Sequence, residues 1–194
     1  MIDIAIITGS VRMGRQSQKV AYYLEQKLNE REISVDLIDL GEYTLPLLRE
    51  RVGRHPEPPE DAVEISDRLD KSDALILVSP EYHGSVSGVL KNALDYFRKE
   101  FQGKPIGVAT ASAGGFGGIN ASNQLQHIIL SMGGYPMPQK LLVPKVQDAF
   151  DADLEPRQDR LEQTTGKFLD DLLWQTEAFD LKKEQDQSLK QEVA

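Results

Sequence analysis

The sequence predicts a doubly wound α/β fold: one five-stranded parallel sheet of order 2-1-3-4-5, with helices on both faces. Three observations carry that expectation. Short apolar runs alternate with helix-period stretches along most of the chain, which implies parallel strands joined by right-handed crossovers. The second apolar run alternates with polar residues while the first and third are continuous, so the second belongs at or near an edge and the others at the centre. Three loops at strand carboxyl ends, the first, third and fourth, are rich in glycine and hydroxyl groups, and doubly wound sheets bind ligands at that end.

Taken in order, Ile4 to Ile7 forms the first strand, and the helix that follows carries Val20, Ala21, Leu24 and Leu28. Ile33-Ser34-Val35-Asp36-Leu37 alternates as a half-exposed strand. Leu40 to Asp61, with Pro46, Pro56, Pro58 and Pro59, is expected to be irregular, and such a long connection is usually functional or mobile. Its Leu45-Pro46-Leu47-Leu48 segment is apolar enough to cover a ligand or a partner, or to pack as a connection. Asp61 to Lys71 reads as a short helix with Val63, Ile65 and Leu69 inward, feeding the buried strand Ala74 to Val78. The next helix places Leu90, Leu94 and Phe97 on one face. Ile106 to Thr110 is a strand, Leu125, Ile128, Ile129 and Met132 mark a helix that stops at Gly133-Gly134, and Lys140 to Val143 is the last strand. A long helix from Arg157 to Asp180 carries Leu161, Phe168, Leu172 and Phe179 at spacings that suit packing on the sheet, with a subunit contact as the alternative. One domain over residues 1–180 is expected, with a polar tail at 181–194 that reads equally as a helix extension, a disordered tail or an arm to a partner subunit.

Composition narrows the chemistry. The 194-residue chain contains no cysteine, so it has no disulfide, thiolate nucleophile or dithiol centre, and redox chemistry requires a bound cofactor. A net charge of −9 argues against nucleic-acid binding. Met1-Ile2-Asp3 leads straight into a strand and no apolar run approaches a membrane span, so a cytoplasmic protein without membrane association is expected. His55, His83 and His127 show no metal-ligand spacing, and neither a Ser-His-Asp set nor Gly-x-Ser-x-Gly occurs. No metal site and no catalytic side chain is expected.

The loops supply the remaining signal. A strand-to-helix loop gathers backbone N–H groups and the positive end of a helix dipole at one point, where an anion belongs. In Thr8-Gly9-Ser10-Val11-Arg12-Met13-Gly14-Arg15-Gln16-Ser17, two hydroxyls and two guanidinium groups suit a phosphate dianion. Arg15 and Gln16 stand where a Walker A loop needs Lys and then Ser or Thr, and G-x-G-x-x-G is absent, so neither an NTPase nor an NAD-binding Rossmann domain is indicated. The loop Ser79 to Gly88 and the glycine cluster Gly114-Gly115-Phe116-Gly117-Gly118 lie at the same sheet edge, the latter suited to close approach of something flat or large.

Together these motifs resemble the NADPH-dependent FMN reductases of the flavodoxin-like superfamily, which include quinone, azo-dye and chromate reductases. The resemblance runs from Ile4 to about Val143 and rests on Gly9-Ser10-Val11-Arg12 with Ser17, on Pro80-Glu81-Tyr82-His83-Gly84 with Lys91-Asn92-Ala93-Leu94-Asp95, and on Ser112 with the glycine cluster. It implies that Ser10, Arg12 and Ser17, helped by Arg15 and Gln16, hold the FMN phosphate. It further implies that Pro80, Glu81, Tyr82, His83 and Gly84 lie along the isoalloxazine, and that Ser112, Ala113, Gly114 and Gly115 approach its pyrimidine edge. The family usually has Asn at the position of His83.

The activity implied is hydride transfer from NADPH, or NADH, through FMN to a small acceptor such as a quinone, flavin, azo compound or metal oxyanion. A homodimer or homotetramer is implied as well, with Leu45 to Leu48, the helix bearing Tyr96 and Phe97, and the tail as candidate contacts. Two other functions fit the same fold, a flavodoxin-like electron carrier and a flavin-free binding module.

Overall fold

The computed structural model describes residues 2–192, and side chains through Leu189. Five strands form one parallel sheet in the order β2-β1-β3-β4-β5, as the patterning predicts. They are β1 (Asp3–Thr8), β2 (Ser34–Asp39), β3 (Ala74–Pro80), β4 (Pro105–Ala111) and β5 (Tyr135–Val143). The helices are α1 (Gln18–Asn29), α2 (Glu60–Lys71), α3 (Gly88–Tyr96), α4 (Ile119–Met132) and α5 (Asp159–Glu192).

The period-2 geometry of the strands divides the apolar residues between two cores. Ala5, Ile7, Leu75 and Leu77 face a cluster supplied by α2, α3 and α4, including Ile65, Leu90 and Leu125. Ile4, Ile6, Ile76 and Val78 face the opposite cluster, supplied by α1 and α5 through Leu24, Leu28, Phe168 and Leu172. Covering on both faces is why β1 and β3 read as unbroken apolar runs. Gly107 fits this plan by size, since a Cβ there would stand 2.6 Å from the Phe168 ring.

Several boundaries differ from the sequence expectation. The last strand begins at Tyr135 rather than Lys140, and contains Pro136 and Pro138. It is an edge strand with a register irregularity opposite Ile106/Val108, and an edge tolerates residues that cannot donate to a ladder. The second strand extends to Asp39, which proves consequential below. In α2 the buried positions are Ala62, Ile65, Ser66 and Leu69, with Val63 only half-buried, because Ser66 finds a buried acceptor in Glu100 Oε1 at 2.6 Å.

Helix α5 continues without a break through the stretch expected as a polar tail, as far as Glu192. Residues 181–189 are exposed along it, and Val193 and Ala194 lie outside the described residues, as does Met1. Tyr96 and Phe97 are buried in the chain's own core, so they are unavailable for the subunit contact for which their helix was a candidate.

The 40–59 connection is fastened to α3. Asn92 accepts from Leu48 N at 3.0 Å and donates to Pro46 O at 2.8 Å, Tyr96 OH donates to Pro46 O at 2.9 Å, and Val52 N donates to Tyr96 O at 3.2 Å. Leu45 and Leu48 pack against the core while Leu47 stays exposed. The Lys91-Asn92-Ala93-Leu94-Asp95 motif is therefore accounted for by folding: an i,i+4 ion pair between Lys91 and Asp95 at 2.6 Å, a loop clip, and two core residues.

Candidate active site

The loops after β1, β3 and β4 meet at the carboxyl edge of the sheet. They are tied to one another by specific contacts. Gly9 N donates to Val78 O at 2.8 Å, and Ser87 Oγ donates to Gly9 O, so the first loop is pinned across β3 to the start of α3. Gly9 is required there, because a Cβ would stand 2.7 Å from that of Leu90. Ser10, buried, pairs its hydroxyl with Tyr82 OH at 2.9 Å. Glu81 N donates to Ala111 O at 3.0 Å, joining the second loop to the third.

In the 9–17 loop the Arg15 N–H alone, of the amides from Ser10 to Gln18, has a hydrogen-bond partner among the described residues, the Arg12 carbonyl at 3.1 Å. Ser17 is the N-cap of α1, is buried, and its side chain caps no amide. Unfilled donors at a helix start form an anion cradle. Arg12 projects from its rim, exposed and without an ion pair among the described residues. Gln16 folds back, donating to Gly14 O at 3.0 Å.

Arg15 behaves differently. Its Nη1 and Nη2 each lie 2.6 Å from the Asp39 carboxylate, its Nε donates to Gln18 Oε1 at 3.1 Å, and Nη1 also donates to Ser10 O. Asp39 accepts further from Thr8 Oγ1 at 3.0 Å, Gly41 N at 2.9 Å and Gln18 Nε2 at 3.1 Å. Burial alone would raise the Asp39 carboxyl, but the bonds from Arg15, Gly41 N and Thr8 outweigh it and hold the pKa below the usual value of 3.8. The pair braces the loop, since Arg15 ties Asp39 to the Ser10 carbonyl. Sequence reasoning missed Asp39. The signal was available in the strand order, because β2 beside β1 in parallel register sets Asp39 opposite Thr8 and at the foot of the basic loop.

The 81–87 loop is a tight turn closed by reciprocal bonds, Tyr82 N to Ser85 O at 2.9 Å and Ser85 N to Tyr82 O at 3.0 Å. His83 (φ 52°) and Gly84 (φ 73°) both occupy the left-handed region. His is among the residues that adopt it more readily, as is Asn. The Glu81 carboxylate is engaged at the start of α4, accepting from Asn120 N at 2.9 Å and Ala121 N at 3.2 Å. Pro80 is buried in β3, so Tyr82, His83 and Gly84 remain as the part of this motif that faces outward.

The glycine cluster divides in two. Gly117 and Gly118 have φ of 62° and 82°, and a Cβ would meet Leu142 C and Thr110 Cβ at 2.9 Å. Gly114 and Gly115 have open space instead. Ser112 Oγ donates to Gly114 O at 3.1 Å, and the amides of Ala113, Gly114 and Gly115 donate to nothing among the described residues. The same holds for His83 and Gly84. Among the described residues no group of three or more His, Asp or Glu side chains is placed to hold a metal ion, and no helix is long and apolar enough to cross a membrane.

A parallel 2-1-3-4-5 sheet with three loops meeting at its carboxyl edge defines a protein of the flavodoxin-like class. Residues 2–148 match the family model described as NADPH-dependent FMN reductase. The chain is 33% identical over 147 residues to a quinone reductase of Pseudomonas putida, covering 72% of this chain and 77% of that protein. It is 36% identical over 143 residues to an FMN-dependent NADPH-azoreductase of Staphylococcus haemolyticus, covering 70% and 73%. Its fold is similar to that of FerB, a flavoenzyme NAD(P)H:(acceptor) oxidoreductase from Paracoccus denitrificans, with a TM-score of 0.78, 25% identity, and coverage of 92% of this chain and 99% of that one. The chain belongs to the NADPH-dependent FMN reductase family, a family of oxidoreductases.

Proposed function

We propose that this chain binds FMN across the three loops and transfers reducing equivalents from NADPH to a small acceptor: a quinone, a free flavin, an azo compound or a metal oxyanion. The observation that carries the site is the set of unfilled amides between Ser10 and Gln18, flanked by the Ser17 hydroxyl and Arg12. The donor set suits a terminal phosphate, and the FMN phosphate is a dianion that such a cradle would hold by charge-assisted bonds.

When bound, FMN accepts a hydride from a nicotinamide and passes the electrons on. The protein's part is to bind, orient and polarise. Ser10, through Tyr82, fixes the distance between the phosphate loop and the ring-facing turn. Backbone N–H groups of His83, Gly84 and Ala113 to Gly115 have no partner among the described residues and would be available to stabilise negative charge on a reduced ring. Arg15 acts as a brace rather than as a direct phosphate ligand, because its guanidinium is already occupied by Asp39 and Ser10 O. Glu81 likewise serves the loop by capping α4. Donor and acceptor occupy the same exposed face in turn, where water can supply the protons that the reduced acceptor takes up.

The working assembly is a cytoplasmic homodimer or homotetramer. Exposed apolar side chains support it, notably Leu47 on the 40–59 connection and Trp174 on α5. Light scattering should give a mass of two or four chains, and a single-chain mass would remove the assembly from the proposal.

The deciding test is an anaerobic titration. FMN added to the purified protein should bind and then bleach when NADPH is added, whereas bound flavin that does not bleach would favour an electron carrier. Arg12→Ala should weaken FMN binding by about 1.5–3 kcal/mol, the scale of a hydrogen bond to a charged group. An unchanged Kd would take Arg12 out of the site.

A further inference from the structure

A cleft of ≈ 630 Å³ opens beside the 112–118 loop, where the first turns of α5 face the carboxyl end of β5. That volume is in the range of small-molecule sites. Its wall combines apolar surface from Phe116, Leu142 and Leu161 with three cations, Lys140, Lys145 and Arg160, against the single carboxylate of Asp148. On a chain of net charge −9, three cations lining one concave surface stand out as a candidate anion site, although Asp159 and Glu162 lie on the same first turn of α5 as Arg160.

One of these cations is held by its side chain and one by its backbone. Lys140 Nζ is oriented by Asn123 Oδ1 at 2.6 Å. Lys145 sits in the left-handed region (φ 46°), and its amide donates to Gly114 O at 3.0 Å, so its backbone is anchored to the loop that faces the ring system in the proposal above. Lys145 and Arg160 form no ion pair among the described residues. By contrast Arg49, Arg51 and Arg54, a basic stretch of the 40–59 connection, line neither this cleft nor the ≈ 400 Å³ cleft lined by Val11, Leu40 and Leu45.

We propose that the cleft receives the 2′-phosphoadenosine end of NADPH, with Lys145 and Arg160 facing the 2′-phosphate and the apolar wall of Phe116, Leu142 and Leu161 against the adenine. The inference rests on the reductase function proposed above. Gly115 belongs both to the ring-facing stretch and to the cleft wall, so a dinucleotide with its nicotinamide over the flavin has a continuous surface leading into the cationic end. Two cations converging on one dianion are what separates NADPH from NADH, since a phosphate gains charge-assisted bonds that a 2′-hydroxyl does not.

The test is calorimetric titration of the FMN-loaded protein with adenosine 2′,5′-bisphosphate and with 5′-AMP, paired with KM values for NADPH and NADH. The variants are Lys145→Asn, chosen because Asn tolerates a left-handed backbone, and Arg160→Gln. The wild-type protein should bind the bisphosphate at least about tenfold more tightly than AMP, the scale of one charged hydrogen bond. Each variant should lose most of that preference and raise the KM for NADPH several-fold, leaving kcat and the KM for NADH unchanged, and Lys145→Arg should retain the preference. Equal binding of bisphosphate and AMP by a wild-type enzyme that oxidises NADPH would overturn the cleft assignment alone. An equal rise in both KM values would overturn it too, as would a raised KM confined to a sulfonated azo acceptor, which would give the cleft to the acceptor. The titration needs no turnover, so failure to reduce FMN would count against the reductase proposal separately.

Discussion

Two irregular stretches, the 9–17 loop and the 40–59 connection, look alike in sequence and differ in what their polar groups do. The longer one is laced to α3 by Asn92 and Tyr96, and its Thr44 amide is taken by Asp61 Oδ2 at 2.5 Å. The shorter one is braced by Arg15 and Asp39 yet leaves nearly all its amides without a partner. Length and glycine or proline content mark a loop. Amides without a protein partner at a helix start are open to an anion, which supports the proposed role of the 9–17 loop.

The strongest way to break this comparison is to remove the brace. Asp39→Ala leaves a mostly buried Arg15 without its carboxylate, and should lower unfolding free energy by about 3 kcal/mol in urea titration and weaken FMN binding as well. Stability that falls with FMN affinity untouched would mean that the loop keeps its shape without the pair. The same carboxyl carries a pH signature. Because its folded pKa lies below the unfolded value of 3.8, its contribution is present above that value and is lost as pH falls through the folded pKa. The acid limb of the stability profile should therefore flatten in Asp39→Ala.

Next in size are the glycines. Gly118→Ala should destabilise by about 1–3 kcal/mol, since it adds a Cβ 2.9 Å from Thr110 at φ 82°. Gly115→Ala, in open space, should leave the thermal midpoint almost unchanged and act on FMN affinity. If both behaved alike, the division of the cluster into packing and binding halves would fail.

Asn92→Ala should cost about 1–2 kcal/mol through its lost bonds to Leu48 and Pro46, with FMN Kd unaltered. A large change in Kd would return the 40–59 connection to the site. The smallest effect is expected for His83→Asn, a stabilisation of about a few tenths of a kcal/mol in thermal unfolding, because Asn accepts the left-handed backbone at φ 52° with less strain.

The sheet was legible for particular reasons. Continuous burial of β1 and β3 leaves unbroken apolar runs, and the half-exposed start of β2 leaves an alternating one, so strand order could be inferred from Ile4 to Ile7, Ile33 to Leu37 and Ala74 to Val78. The start of β5 was not legible, because Pro136 and Pro138 contradict a strand unless it lies on an edge. The continuation of α5 past Asp180 was not legible either, since a helix with exposed polar sides has no apolar period to read.

The sequence by itself determined the parallel sheet, the three loops at its carboxyl edge, the dependence of any redox chemistry on a cofactor, and the family resemblance, because each rests on local pattern or on residue content. Tertiary structure decided which charged groups are free. Arg12 and Arg15 both read as phosphate-loop cations in the sequence, yet Asp39 takes Arg15 and leaves Arg12; Gly114 and Gly118 belong to one glycine cluster, until Thr110 crowds Gly118. Lys145 and Arg160 lie 15 positions apart in the chain and join one cleft only when α5 packs beside β5. Partners distant in sequence leave no local periodicity, so only the packed chain reveals which donors and charges are already paired within the protein.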